Sequence, residues 1–473
     1  RGREVHVRER DATMAAIDKA ERIKERFAEW VWEDPSRAER LCVIHNERFN
    51  CLVRPVYNGS HLAFPWKANS ITLRPGQVNS AWRFVSSGPT LLHHEVGLGK
   101  SGSAFAAALT ARRLGLVKKP MMVCPNHLLD DMVAEARRFA PAARVLAWAP
   151  EWNGKAGRKL FTERCAGGDW DLVVIPWSVF GLYPLPTGVL VEQVQESLAE
   201  LRALLKRKKD QPTKTQANRL IRSQETRLAK LLRRGRQLDV DFTMLGVDAL
   251  LVDESHYGKR LSPTLADDGS RRAEDLATKV EWLLKTHGPI ATVMFATGTP
   301  VSNTLAEMWT TQRYLAKAVL AQAGVDRYEA WAKTFGCSVN RVEVSPDGAS
   351  FKVASRFSAF QNVPELLALY WQCADLATTA DLERAGIVKL PTAHRFTVQV
   401  EAGSVQRRAV ADLSRRASLI DAGTPELRDK VNGGKCRDSM LLVTGDGRKA
   451  ALDPELLGLP PCTRGGKIKA CAR

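Results

Sequence analysis

The chain has 473 residues, 44% hydrophobic and 26% charged, which is an ordinary balance for a globular protein of two or three domains. Its formal charge of +18 points to a polyanionic partner, nucleic acid first among them. Nine scattered cysteines without a Cys-x-x-Cys pair, no membrane-length apolar run and a charged N-terminus exclude a disulfide framework, a zinc ribbon, a membrane span and a signal peptide, so a cytoplasmic location is expected.

In chain order, Met14, Ile17, Ala20, Ile23, Phe27 and Trp30 recur at helix spacing, and Pro35 breaks the pattern. Residues 1–70 read as a helical leader with no chemistry of its own. Ile71–Gln77 then leads into a helix through Trp82 and Phe84. A glutamine here, just ahead of a glycine loop, can set one donor and one acceptor against an adenine edge.

The loop is Leu91–Ser101, LLHHEVGLGKS. Two apolar residues run into a turn with Gly97 and Gly99, and an Ala-rich helix follows. Glycines let backbone N–H groups approach an anion, and the helix start adds partial positive charge. Lys100 is expected on the β/γ-phosphates of ATP and the Ser101 hydroxyl on Mg²⁺. The first glycine usual for such a loop is absent, since His94 stands in its place.

Met121–Pro125, Val145–Ala147 and Trp170–Ile175 read as strands alternating with helices, hence a parallel sheet whose ligands gather at the strands' carboxyl ends. From Val189 to Arg236 the period becomes helical around Gln211-Pro212-Thr213, a hairpin inserted at 185–240. Between Arg202 and Arg236 it carries thirteen Lys or Arg against two acids, so Lys206, Arg207, Lys208 and Lys209 are expected on nucleic-acid phosphates.

Met244–Val252 is an apolar strand ending in Asp253-Glu254-Ser255-His256, about 150 residues beyond the loop. Asp253 can hold Mg²⁺ through water, and Glu254 can orient or deprotonate an attacking water. Ala291–Phe295 runs into Thr297-Gly298-Thr299-Pro300, whose hydroxyls are expected beside the acidic strand, within reach of His256. Further on, a β-hairpin is expected at 340–344 and 350–356, helices at 363–376 and 404–419, and a strand at 395–400.

Taken together, Leu73–Gln77, His94–Ser101, Cys124-Pro125-Asn126, Asp253–His256 and Thr297–Pro300 resemble the first motor lobe of a superfamily-two DEAD/DEAH-type helicase or translocase, nearest the Swi/Snf-like branch. Val301–Met308 and Met440–Asp453 are similar to the phage- and plasmid-borne members that accompany an adenine DNA methyltransferase. The resemblance implies an α/β RecA-like P-loop lobe with a central parallel sheet, the basic hairpin and flanking, mostly helical segments. It implies ATP and Mg²⁺ as cofactors, duplex or single-stranded DNA as partner, and a methyltransferase as partner or fused domain. Gln77 would meet adenine; Gly97, Gly99, Lys100 and Ser101 the phosphates and metal; Asp253 and Glu254 the metal and water. His256, Thr297 and Thr299 would couple hydrolysis to movement, and Asn126, Trp177 and Ser178 would touch the tracked strand. Ser255 for Ala and His94 for Asp or Gly depart from the pattern.

The expected domains are the leader 1–70, the lobe 71–320, a mixed accessory region 321–460, and at 461–473 the start of a truncated second lobe. The second lobe carries the arginines that complete the site in this family, each worth on the order of 10³–10⁵ in rate. The chain by itself is therefore expected to bind ATP·Mg²⁺ weakly and to turn it over slowly. The competing reading is a truncated nucleic-acid-binding module without turnover. A third, an unrelated P-loop kinase, is opposed by Gln77 and the Thr-Gly-Thr-Pro turn.

Overall fold

The computed structural model describes residues 10–47, 54–207, 218, 221–226, 228–229, 231–232, 239–261, 270–302, 304, 306–344, 351–384, 386, 398–421, 438–460 and 467–468. It divides into two compact units, Ala38–Cys337 with Phe357–Lys389, and Arg1–Arg37 with Ser338–Arg356 and Leu390–Arg473.

The first unit is built on a seven-stranded sheet. Its strands are β1 (Thr90–His94), β2 (Pro120–Cys124), β3 (Val145–Ala147), β4 (Leu172–Pro176), β5 (Ala249–Asp253), β6 (Val293–Ala296) and, far along the chain, Ala374–Ala377. The order is β3-β4-β2-β5-β6-β1 followed by Ala374–Ala377 at the edge, and every pairing is parallel. An α/β fold with a central parallel sheet is thus what the alternating sequence predicts.

Side chains alternate between the faces, as a two-residue period requires. Leu91, Met121, Val123, Val173 and Leu250 enter one core with Phe161, Trp177, Phe180, Phe242 and Leu283. Leu92, Met122, Val174 and Leu251 enter the other, under Phe84, the alanines of the loop helix, Met132 and Phe139. Because both faces are covered, the inner strands β2, β4 and β6 are continuously apolar. Leu62, Phe64, Trp66, Ile71 and Leu73 pack onto that second core, so part of the expected leader belongs to this unit.

The region 363–376, read as one helix, instead changes state after Cys373: the helix Val363–Cys373 gives way to the strand Ala374–Ala377. Helical periodicity alone hides this switch. The open edge of β1 supplies ladder partners, Leu91 opposite Ala374 and Leu92 opposite Asp375. The segment set apart at 321–460 therefore contributes a strand to the sheet. The strand expected from Met244 begins at Ala249, after a turn at Gly246 with φ 67°.

The inserted helix Thr187–Arg207 packs Val194, Leu198 and Leu201 against Ile221, Leu228 and Leu231 of the returning arm. Residues Gly336–Val344 and Phe351–Phe360 form a separate two-stranded sheet. In the second unit, Ala409, Leu413 and Ala417 of the helix Ser404–Asp421 meet Val443 and Ala450 of the helix Met440–Leu452. Arg416 forks onto Asp438 at 2.9 Å through two nitrogens and reaches Asp446 at 3.1 Å. The strand expected at 395–400 falls on 395–397, outside the described residues, and on 398–400, which have no regular structure. Of 461–473 only 467–468 are described, as helix. No described helix is long and apolar enough to cross a membrane.

Candidate functional site

Parallel pairing sends the carboxyl ends of β1, β6 and β5 to one edge, with β6 in the middle. The loop after β1 turns through Gly97 and Gly99, at φ 86° and 81°, conformations that glycine adopts without a Cβ penalty. Helix Lys100–Arg113 starts immediately after Gly99, which is its left-handed N-cap. The Lys100 ammonium donates to the carbonyls of His94 (3.1 Å) and Glu95 (3.2 Å). A methyl placed on Gly298, in the turn after β6, would lie 3.7 Å from the Lys100 Nζ, so loop and turn are close neighbours.

Gln77 sits on this loop. Its Oε1 accepts from the Arg74 N–H (2.9 Å) and its Nε2 donates to the Gly99 carbonyl (3.1 Å). A Cβ at Gly99 or Gly102 would come within 2.7 or 2.6 Å of that nitrogen, which explains small residues at both positions. The amide keeps one N–H and one acceptor lobe for a further partner.

Asp253 ends β5, 6% exposed. Burial, with the neighbouring Glu254 carboxylate second, pushes its carboxyl up to about 6, although Lys100 pulls the other way. Glu254 is left-handed at φ 46°, a conformation costing a non-glycine residue about 1–3 kcal/mol. That turn brings Glu254 Oε2 to 2.9 Å from His256 Nδ1, which also stands 3.3 Å from Thr297 Oγ1. Thr297 Oγ1 in turn accepts from the Thr299 N–H at 3.1 Å. The Ser101 hydroxyl and the Asp253 carboxylate are the hard oxygen donors a Mg²⁺ takes, and the ion would ease the crowding of the two adjacent acids.

The other expected contacts are divided. Asn126 Oδ1 accepts from the Ser178 N–H (3.2 Å), joining the exposed tips of β2 and β4. Trp177, however, is 4% exposed, and its indole N–H donates to the Asp253 carbonyl (3.2 Å). The exposed ring in this corner is Tyr257, 40% accessible, 4.7 Å from the His256 ring and with the Arg272 guanidinium 5.7 Å away. Sequence reading missed it, since one tyrosine after an acidic motif carries no pattern. Lys206 and Arg207 close the inserted helix, while Lys208 and Lys209 lie outside the described residues.

A glycine loop after β1, an acidic pair after β5 and a hydroxyl-bearing turn after the strand between them define a RecA-like P-loop lobe. Residues 82–378, more than half of the chain, match the family described as a probable helicase domain, and the chain belongs to that family. Residues 1–51 match a domain of unknown function. No curated protein matches the sequence. Two solved structures are similar: the Sulfolobus solfataricus SWI2/SNF2 ATPase core in complex with dsDNA (16% identity, 87% of this chain, 65% of that one, TM-score 0.39) and the Sulfolobus solfataricus SWI2/SNF2 ATPase core domain (14%, 86%, 63%, 0.37). The chain thus spans less than two thirds of either.

Proposed function

We propose that this chain is the first motor lobe of an ATP-dependent DNA helicase or translocase of superfamily two, in its Swi/Snf-like branch. The observation that carries the reading is the meeting of Lys100, the Asp253–Glu254 pair and Thr297 at three neighbouring strand tips. In this reading the loop amides and Lys100 hold the β/γ-phosphates, Gln77 offers its free N–H and lone pair to adenine, and Ser101 and Asp253 hold Mg²⁺. The metal, when bound, neutralises charge on the phosphates. Glu254 orients the attacking water and takes its proton, and His256 transmits the state of Glu254 to Thr297 and the turn after β6. A second lobe supplies the arginines that stabilise the transition state.

DNA contact falls on Asn126, Ser178 and Tyr257 just past the strand tips and on Arg272 at the start of the helix Arg271–His287, with the inserted hairpin's Lys206–Lys209 on phosphates. The buried Trp177 supports the Asp253 backbone from below. A DNA methyltransferase as partner or fused domain belongs to the same proposal.

The test is titration of a fluorescent ATP analogue with Mg²⁺, beside steady-state hydrolysis with and without DNA. The wild-type chain is expected to bind weakly and turn over slowly, and Lys100→Ala to lose the binding. Vigorous DNA-stimulated turnover by these 473 residues would contradict the need for a second lobe. Binding undiminished in Lys100→Ala would remove the P-loop assignment.

A further inference from the structure

Three consecutive residues at the start of the phosphate loop, His93, His94 and Glu95, all reach the same distant segment. His93 Nδ1 is 3.0 Å from the Tyr370 hydroxyl. His94, only 3% exposed, places Nε2 3.0 Å from Asp375 Oδ2, and Ser80 Oγ lies 2.8 Å from that same oxygen. Glu95 Oε2 accepts from both the Thr379 N–H (2.8 Å) and its hydroxyl (2.5 Å), while the Glu95 N–H donates to the Ala377 carbonyl (3.1 Å). Burial works to raise the Asp375 carboxyl, yet the hydrogen bonds from His94 and Ser80 and the nearby Arg83 leave it below the ordinary carboxylate range. A carboxylate so placed keeps its charge and its geometry. The ammonium of Lys100 is held by the carbonyls of His94 and Glu95, the two residues whose side chains grip residues 375 and 379.

From this juxtaposition we infer that His94 and Glu95 are positioning residues, holding the phosphate loop against residues 375–379 so that Lys100 is presented to the β- and γ-phosphates of a nucleoside triphosphate. The inference rests on the nucleotide-binding reading above and adds the edge strand Ala374–Ala377 and Thr379 to that site. A phosphate that takes the ammonium of Lys100 competes with the His94 and Glu95 carbonyls, and the side-chain bonds to Asp375 and Thr379 keep the loop in place during the exchange. His94 is then the residue matched to this job: its ring is long enough to cross from β1 to Asp375.

The experiment measures the affinity of the full chain for a fluorescent ATP analogue with Mg²⁺, beside melting temperatures without nucleotide. Asp375→Asn and Glu95→Gln are expected to weaken binding about tenfold each, the size of one lost charged hydrogen bond. Thr379→Ser, which keeps the hydroxyl, should bind as wild type, and Thr379→Val should fall between. A general loss of packing would not distinguish Ser from Val at an equal melting temperature. Should Asp375→Asn fail to fold, the variants at exposed Glu95 and half-buried Thr379 decide the matter. Wild-type affinity in folded Glu95→Gln and Thr379→Val, with binding still lost in Lys100→Ala, would overturn the positioning role alone. Absence of binding by the wild-type chain would overturn it together with the nucleotide reading.

Discussion

Two histidine–carboxylate pairs stand at strand tips along one edge of the sheet, and their surroundings set them different tasks. His94–Asp375 (3.0 Å) joins β1 to the edge strand, with the His94 side chain 4% and the Asp375 side chain 28% exposed. His256–Glu254 (2.9 Å) follows β5, with both side chains about a third exposed. In the first pair Asp375 also accepts from the Ser80 hydroxyl and has Arg83 nearby, an arrangement that suits a fixed geometry. The second rests on a left-handed residue and shares its histidine nitrogen with Thr297, so it has two partners to choose between. On the proposed reading, similar chemistry serves as a clamp where the histidine has one carboxylate partner and as a switch where it has two partners.

The largest expected effect breaks the second pair. Glu254→Gln is isosteric and removes the proposed base while keeping a hydrogen-bonding group near His256. On the proposed reading, and with a second motor lobe joined to the chain, DNA-stimulated hydrolysis should fall about 10²–10⁴-fold, the usual contribution of a general base, with the affinity for the ATP analogue kept. Affinity and turnover lost together would mean that Glu254, like His94, is part of a clamp.

Gln77→Ala sharpens the first side of the comparison. The glutamine braces the Gly99 carbonyl with one N–H and has the other to spare. Its loss is expected to lower ATP affinity about tenfold, one hydrogen bond's measure, and GTP affinity less. Equal losses for both nucleotides would leave Gln77 only the bracing role.

Much of the sheet was legible because buried parallel strands announce themselves as apolar runs, as in Met121–Cys124, Leu172–Ile175 and Ala249–Val252. The placement of Asp253, His256 and Thr297 at strand ends, and of Lys100 after the glycine loop, was legible because each follows such a run. The strand Ala374–Ala377 was not, for it continues a helix without a glycine or proline between, and only the open ladder of β1 converts it. Asp375 stayed hidden for the same reason: 281 residues separate it from His94, and no local pattern records the contact. Trp177 was legible as a position but not as an orientation. A tryptophan at a strand tip can face outward or bury, and here its indole N–H found the Asp253 carbonyl.

The smallest effect tests the outer side of the switch, where the exposed Tyr257 ring lies over His256 and beside Arg272. Stacking on one nucleobase is worth roughly 1–3 kcal/mol, and a single phosphate contact shifts the salt slope by about one. Tyr257→Ala should therefore weaken single-stranded DNA binding roughly tenfold at every salt concentration, leaving the slope of log affinity against log salt unchanged. Arg272→Ala should instead flatten that slope by about one, and have its greatest effect in low salt. Fluorescence anisotropy across a salt series separates the two. If Tyr257→Ala altered only the slope, the ring would act by holding the arginine and not by meeting a base. If neither variant mattered while charge reversal in the inserted hairpin did, DNA would bind away from the strand tips, and His256 would have no direct route by which to sense it.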